Sequence, residues 1–233
     1  RRLRDAGSAN GFDRDLWKRF GEMGFNGILI DEDEGGLGLG QVEAGIVLEE
    51  IGRNLTPSPF LTTALAFVEA VRGTAHASRW FPGILAGETV AALAVDEGPK
   101  HRPEAIALRA ERSGNGFRLS GRKQFVVHGA SADVTLVAAR TDEGLTLFAV
   151  EREAKGLDIE SARLADSSLA ARLAFDDVEV DADAVVAAWR RRREERRAQA
   201  QAARRVAESE ATADPVASGR PAPRGADPPA DAR

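Results

Sequence analysis

After Leu173 the chain contains no further leucine, isoleucine or methionine, and from Trp189 to Arg233 it is almost wholly Arg, Ala, Glu, Asp, Pro, Gly, Ser and Gln. A stretch with so little apolar volume buries too little surface to offset its conformational entropy. The sequence therefore predicts a folded body before about Ala188 and a largely disordered C-terminal tail over residues 187–233. Arg190 to Arg193, with Arg196 and Arg197, form the one basic cluster. Glu194 and Glu195 interrupt it and no aromatic residue is interleaved, so it reads as one frayed, solvated helix and not as a nucleic-acid site.

With the tail set aside, the 233 residues still hold enough chain for one large domain or two small ones. A formal charge of -5 gives no basis for binding nucleic acid or an anionic membrane. The absence of cysteine excludes disulfides, thiol nucleophiles and cysteine-ligated metal, and fits a cytoplasmic protein. No apolar run approaches the roughly 20 residues that span a bilayer. The opening Arg1-Arg2-Leu3-Arg4 has no apolar stretch behind it and no Met before it, which reads as an unexported fragment or processed chain.

Helical spacing of Leu16, Phe20 and Met23 beside Trp17, with Asp13 placed to cap, predicts a first helix. A short apolar stretch from Phe25 to Ile30 then enters an acidic turn and the glycines Gly35, Gly36, Gly38 and Gly40. A second helix is expected from about Gln41 to Arg53, with Val42, Ile46 and Leu48 or Ile51 inward. Leu61, Leu65, Val68 and Val71 predict a third, ended by Gly73. A fourth spans Ser78 to Ala86, with Pro82 near its start. From Thr89 the period shortens. Strands are expected at 90–95, 105–112, 117–122, 125–127, 134–140, 145–151 and 174–180, separated by turns such as Ser113-Gly114-Asn115-Gly116 and Asp142-Glu143-Gly144. The fold class is α+β: an N-terminal α-helical domain (1–87), then a middle β domain (88–186) built as an antiparallel barrel or sandwich.

Isolated motifs carry little chemistry. The glycines after Ile30 miss the dinucleotide-binding spacing, and four carboxylates precede them, so they read as a helix connection. Gly116 to Lys123 resembles a phosphate loop and Gly129 to Asp133 a nucleophile elbow, but both lack defining residues and read as turns. His76, His101 and His128 are too scattered for a metal site and read as surface residues. Asp96 and Glu97 stand together at a strand end, where carboxylates can do acid-base work, but adjacent strand residues point to opposite faces.

Taken in order, five segments resemble the acyl-CoA dehydrogenase family: GFNGILIDEDEGGLGLG with VLEEIGR, PSPFLTTALA with GILAGETVAALAV, FRLSGRKQFVVHGASADVTLVAAR, LTLFAVEREAKGL and LAFDDVEVDADAVV. The likeness runs from about Phe12 to Val186. It implies an FAD-dependent desaturation of an acyl-CoA thioester, with electron-transfer flavoprotein or a similar acceptor as partner and a homo- or hetero-oligomeric assembly. It places the flavin edge at Val95 and Asp96, where the family usually has Leu-Thr, and at Phe125 and Val127 in the second flavin motif. Asp96 and Val127 replace hydroxyl-bearing residues, the small Gly-Ser-Asp turn after Glu97 is missing, and His128 replaces a common Asn.

The family's catalytic Glu usually lies in a C-terminal helical domain, so no base is named here and the chain is expected to be truncated or frame-disrupted after about Ala188. A non-catalytic subunit of a heteromeric dehydrogenase and a flavin-free binding module are the competing expectations.

Overall fold

The computed structural model describes residues 10–164 and 168–188. The expected Arg-rich helix and the expected tail from residue 189 on lie outside them, whereas residues 187 and 188, also expected as tail, end the last strand.

Helix α1 (Arg14–Glu22) starts where the Asp13 carboxylate accepts the Asp15 and Leu16 amides, at 2.9 and 3.3 Å, and it buries Trp17 and Phe20. The glycine connection folds back on the Phe25–Ile30 stretch. The amides of Gly36, Leu37, Gly38 and Leu39 donate to the carbonyls of Asp31, Gly27, Ile30 and Ile28, so these four N–H groups are already used within the chain. A Cβ at Gly36 would overlap the Ile30 carbonyl, which explains a glycine there.

Helix α2 (Gln41–Arg53) departs from expectation. Ala44 is buried, and Val47, Leu48 and Ile51 pack partly on the core, a complete i, i+3, i+4, i+7 stripe. Val42 is 73% exposed and Ile46 also faces outward. Apolar residues surround this helix, and the small Ala44 marks its inner face. The third helix opens as a π-helical segment, Leu61–Phe67, and continues as α3 (Val68–Val71). Gly73, at φ 68°, follows it as expected. Helix α4 (His76–Leu85) starts earlier than expected and carries Pro82 in its interior. The lost bond to the Ser78 carbonyl is tolerated on an exposed face.

Eight strands form one open sheet: β1 (Ala91–Ala94), β2 (Arg109–Ser113), β3 (Gly116–Val127), β4 (Val134–Thr141), β5 (Gly144–Glu151), β6 (Leu157–Arg163), β7 (Leu169–Val180) and β8 (Val185–Ala188). The order is β6-β7-β3-β2-β4-β5-β8. β1 and β2 pair in parallel with successive stretches of β4, at Ala91 to Ala94 and at Arg109, and the other pairings are antiparallel. The two predicted two-residue turns close β2-β3 and β4-β5. Gly116 to Lys123 lies inside β3, not in the turn expected of it, whereas Gly129 to Ser131 turn as expected.

The α+β architecture stands. Val134, Leu136 and Ala138 of β4 join the helical residues in one core, while Val137 and Ala139 enter a second core on the opposite face with Phe117, Leu119, Phe148 and Leu173. A strand buried on both faces reads as a continuous apolar run. Thr63, in the π segment, ties the layers together: its hydroxyl donates to the Ala91 carbonyl at 3.0 Å and accepts the Ala91 amide at 2.9 Å. Among the described residues no helix is long and apolar enough to cross a membrane.

Candidate functional site

Past Ala94 the chain runs beside the middle of β3, and four hydrogen bonds join the two segments. Lys123 Nζ donates to the Val95 carbonyl at 3.0 Å and to Glu97 Oε1 at 2.8 Å. The Gln124 amide donates to the Asp96 carbonyl at 2.7 Å, and Gln124 Nε2 to the Glu97 carbonyl at 3.1 Å. Glu97 also accepts the amides of Ala107 and Leu108, at 2.8 and 2.9 Å.

The Lys123 side chain has 0% exposure. Burial pushes the Glu97 carboxyl upward, but the Lys123 ammonium and two amide donors outweigh it and hold Glu97 below its ordinary 4.5. At Lys123 burial dominates and pulls the amine below its ordinary 10.5, against the opposing pull of Glu97 and Asp96. A buried pair of this kind acts as a fixed brace, because removing either partner strands the other charge.

Two irregularities in the β3-β7 ladder decide which side chains reach the surface. Between Leu119 and Gly121 the extra residue lies on β7, where Asp177 has φ 52°. The inward phase of β3 is therefore kept through Phe117, Leu119 and Lys123. Between Lys123 and Val126 the extra residue lies on β3 itself, where Phe125 has φ 54°. This bulge inverts the phase, turning Val126 inward and Phe125 and Val127 outward. A bulky residue at positive φ carries about 1–3 kcal/mol of strain, and such strain persists only where the surrounding fold imposes it.

The His128 amide donates to the Leu169 carbonyl on β7 at 3.1 Å. Successive amides along a strand alternate in direction, so the Val127 N–H faces away from β7. β2 no longer pairs beyond Ser120 on that other edge.

Of the residues expected at a flavin edge, Val95 is partly buried against the helical core, with its carbonyl held by Lys123. Asp96 is anchored through its backbone to Gln124, and its carboxylate meets His101 Nδ1 at 2.8 Å. Phe125 is 51% exposed and Val127 is also turned to solvent. The β3 segment that ends in Phe125 and Val127 is thus the one that grips Val95 and Asp96.

Two of the three histidines are not surface residues. His76 is buried, with Nε2 3.3 Å from the Val185 carbonyl. His128 is buried edge-on to Phe12, with Nδ1 unpartnered. Burial pulls His128 below its ordinary 6.5, opposed by the Ser58 backbone. No cluster of metal-ligating groups occurs among the described residues.

The residue that the sequence reading missed is Lys123. Its signal was its parity, since it shares the inward phase of Phe117 and Leu119.

Residues 2–88 match the acyl-CoA dehydrogenase N-terminal domain and residues 96–178 the acyl-CoA dehydrogenase middle domain. The mitochondrial isovaleryl-CoA dehydrogenase of Pongo abelii is 34% identical over 157 residues, which are 61% of this chain and 37% of that protein. Acyl-CoA dehydrogenase FadE12 of Mycobacterium tuberculosis is 30% identical over 196 residues, 75% of this chain and 48% of its own length. Among solved structures, the ChsE4-ChsE5 complex from Mycobacterium tuberculosis superposes with a TM-score of 0.69 at 27% identity, covering 75% of this chain and 48% of the other. The chain belongs to the acyl-CoA dehydrogenase family. It spans less than half the length of these relatives.

Proposed function

We propose that this chain forms the helical and β portions of an FAD-dependent acyl-CoA dehydrogenase-like oxidoreductase, acting on an acyl-CoA thioester in the cytoplasm as part of fatty acid metabolism. The observation that carries this reading is the bulge at Phe125, braced by the Lys123 contacts to Val95 and Glu97. It turns an apolar ring and an apolar neighbour outward beside a strand edge that carries the Val127 amide donor, which suits a flat aromatic group with hydrogen-bonding rim atoms. Phe125 and Val127 would supply the apolar contact. The N–H groups of Val127 and Asp96 would supply donors in place of absent hydroxyls, because the Asp96 carboxylate is engaged by His101. When bound, FAD supplies the electron sink for the β hydrogen. No residue of the chain is assigned as the base.

An absorbance spectrum of purified protein with added FAD, followed by acyl-CoA titration, tests this. A bound-flavin band is expected, bleaching with substrate would reveal a base within this chain, and protein that takes up no flavin sinks the reading.

A second reading, a non-catalytic subunit in a heteromeric assembly, draws on Val127 and Asp96 lacking hydroxyls and on the ChsE4-ChsE5 neighbour being a complex of two different chains. Co-purification with a full-length relative supports it, and a monodisperse monomer beside that relative opposes it. In either case an electron-transfer flavoprotein or similar carrier is the proposed acceptor.

A further inference from the structure

His128 follows directly on β3, just past the bulge at Phe125, and has no part in the proposed chemistry. Its ring is 8% exposed and packs on Phe12, with centroids 5.7 Å apart and planes at 88°. Phe12 lies in a short segment that grips the turn after His128. Ser131 Oγ donates to the Asn10 carbonyl at 2.8 Å, and Arg14 Nη2 donates to the Ser131 carbonyl at 3.1 Å. The Ser131 amide in turn donates to the His128 carbonyl at 2.9 Å. Residues 10–14 and 128–131 therefore form one clasp, with the His128 ring as the wedge inside it.

The wedge suits a neutral ring. Nδ1 is buried with no partner among the described residues, and so is Ser58 Oγ on the loop beside it. An imidazolium needs acceptors for two N–H groups and a nearby negative charge. The charged groups of each surrounding segment are already committed. In the N-terminal segment Asp13 caps α1, and the Arg14 guanidinium lies over the Phe12 ring at 5.8 Å. In the turn Asp133 accepts the Val90 amide at 2.8 Å and faces Arg14 at 3.8 Å, while Arg152 donates to the Ala130 carbonyl at 2.7 Å. Residues 54–60 carry no charged side chain. On β7, Arg172 is held by Glu160. A cation at His128 would thus share Phe12 with Arg14 and find no uncommitted carboxylate on these segments, among the described residues.

We infer that His128 is a proton-operated latch: uptake of a proton from solvent by its ring expels the imidazolium from the clasp, releases residues 10–14 and loosens the strand end that presents Phe125 and Val127. The direction of its titration agrees, because burial holds the ring below its ordinary 6.5. Phe125 at φ 54° and His128 at φ 59° keep conformations that the surrounding packing must impose, so losing that packing relaxes them together. The release is local, since the Glu97-Lys123 brace and the β4-β5 hairpin lie outside the clasp. The inference rests on the proposed function only for what the loosened edge then fails to hold.

Hydrogen exchange of the full chain without flavin, read by mass spectrometry and corrected for the intrinsic pH dependence of amide chemistry, is the test. Between about pH 7.5 and about pH 5.5 the opening of segments 10–17 and 125–131 should rise by up to about tenfold, the ratio for uptake of one proton at an ordinary histidine in the open state. β4 and β5 should stay protected. His128→Asn should remove the pH dependence. Arg14→Gln takes one cation from Phe12 and frees Asp133, so it should shrink the rise, and it keeps the test decisive where His128→Asn does not fold. Exchange that stays flat across the range overturns the latch. So does a rise that His128→Asn leaves in place or that Arg14→Gln leaves undiminished. Flavin uptake at about pH 7.5, measured on separate samples, bears on the proposed function alone: no uptake sinks that reading and leaves the latch standing, whereas uptake with flat exchange sinks the latch alone.

Discussion

Lys123 is the residue on which most of the site geometry depends. Replacing it with Met leaves the Glu97 carboxylate partly buried without its cation. Lys123→Met should cost about 3 kcal/mol in a urea titration, and Glu97→Gln added to it should recover part of that loss. A double variant no more stable than Lys123→Met would show that Glu97 draws nothing from the pair.

His128 gives a pH dependence of defined sign. Its folded-state pKa lies below 6.5, so the unfolded chain binds more protons as pH falls from that value. Its contribution is complete above about 6.5 and is lost below it. Glu97 adds a second loss only beneath 4.5, because its folded value is also depressed. His128→Asn should therefore flatten the stability profile between about pH 7.5 and pH 5.5 while leaving the more acidic limb in place. A profile unchanged by the substitution would remove His128 as the cause.

Lys123 was legible in principle through its inward phase. His128 was not, because its burial comes from Phe12 and the region around Ser58, far away in sequence.

At the scale of elements, the caps and glycine stops were readable because they act within one turn. Asp13 and Gly73 fall where local rules put them. The inward face of α2 was not readable by counting apolar residues, because the core that receives it is built by distant segments. The exposed Val42 follows from this: Val42→Lys should change stability by no more than about 0.5 kcal/mol, whereas a burial site would show a far larger shift in the denaturation midpoint. Strand β6 escaped notice because, with its Asp, Glu and Arg residues, it lies at the sheet edge and needs only one apolar face. Thr63→Val keeps the shape of the π segment but leaves both Ala91 backbone groups without their partner. It should cost about 2 kcal/mol in thermal unfolding, and Thr63→Ser should retain most of the stability.

For the whole molecule, order along the chain was enough to give helices first and sheet second, but not the parallel pairings on β4. Those depend on which edges remain open once hairpins close, a choice made in three dimensions. Because Val134, Leu136 and Ala138 share a core with Trp17, Phe60 and Phe81, the helical and β parts should unfold together. Tryptophan fluorescence and far-UV circular dichroism should give coincident transitions, and separated midpoints would show two independent cores. The β3-β7 ladder, which pairs Phe117 with Val180 and Val127 with Ala170, carries a different consequence for synthesis. A ribosome releases β3 long before β7 exists, so the strand that presents Phe125 and Val127 leaves the exit tunnel with an open edge. Closing that ladder is a long-range step and folding is correspondingly slow. The nascent chain is most prone to aggregate during that interval, and most in need of a chaperone.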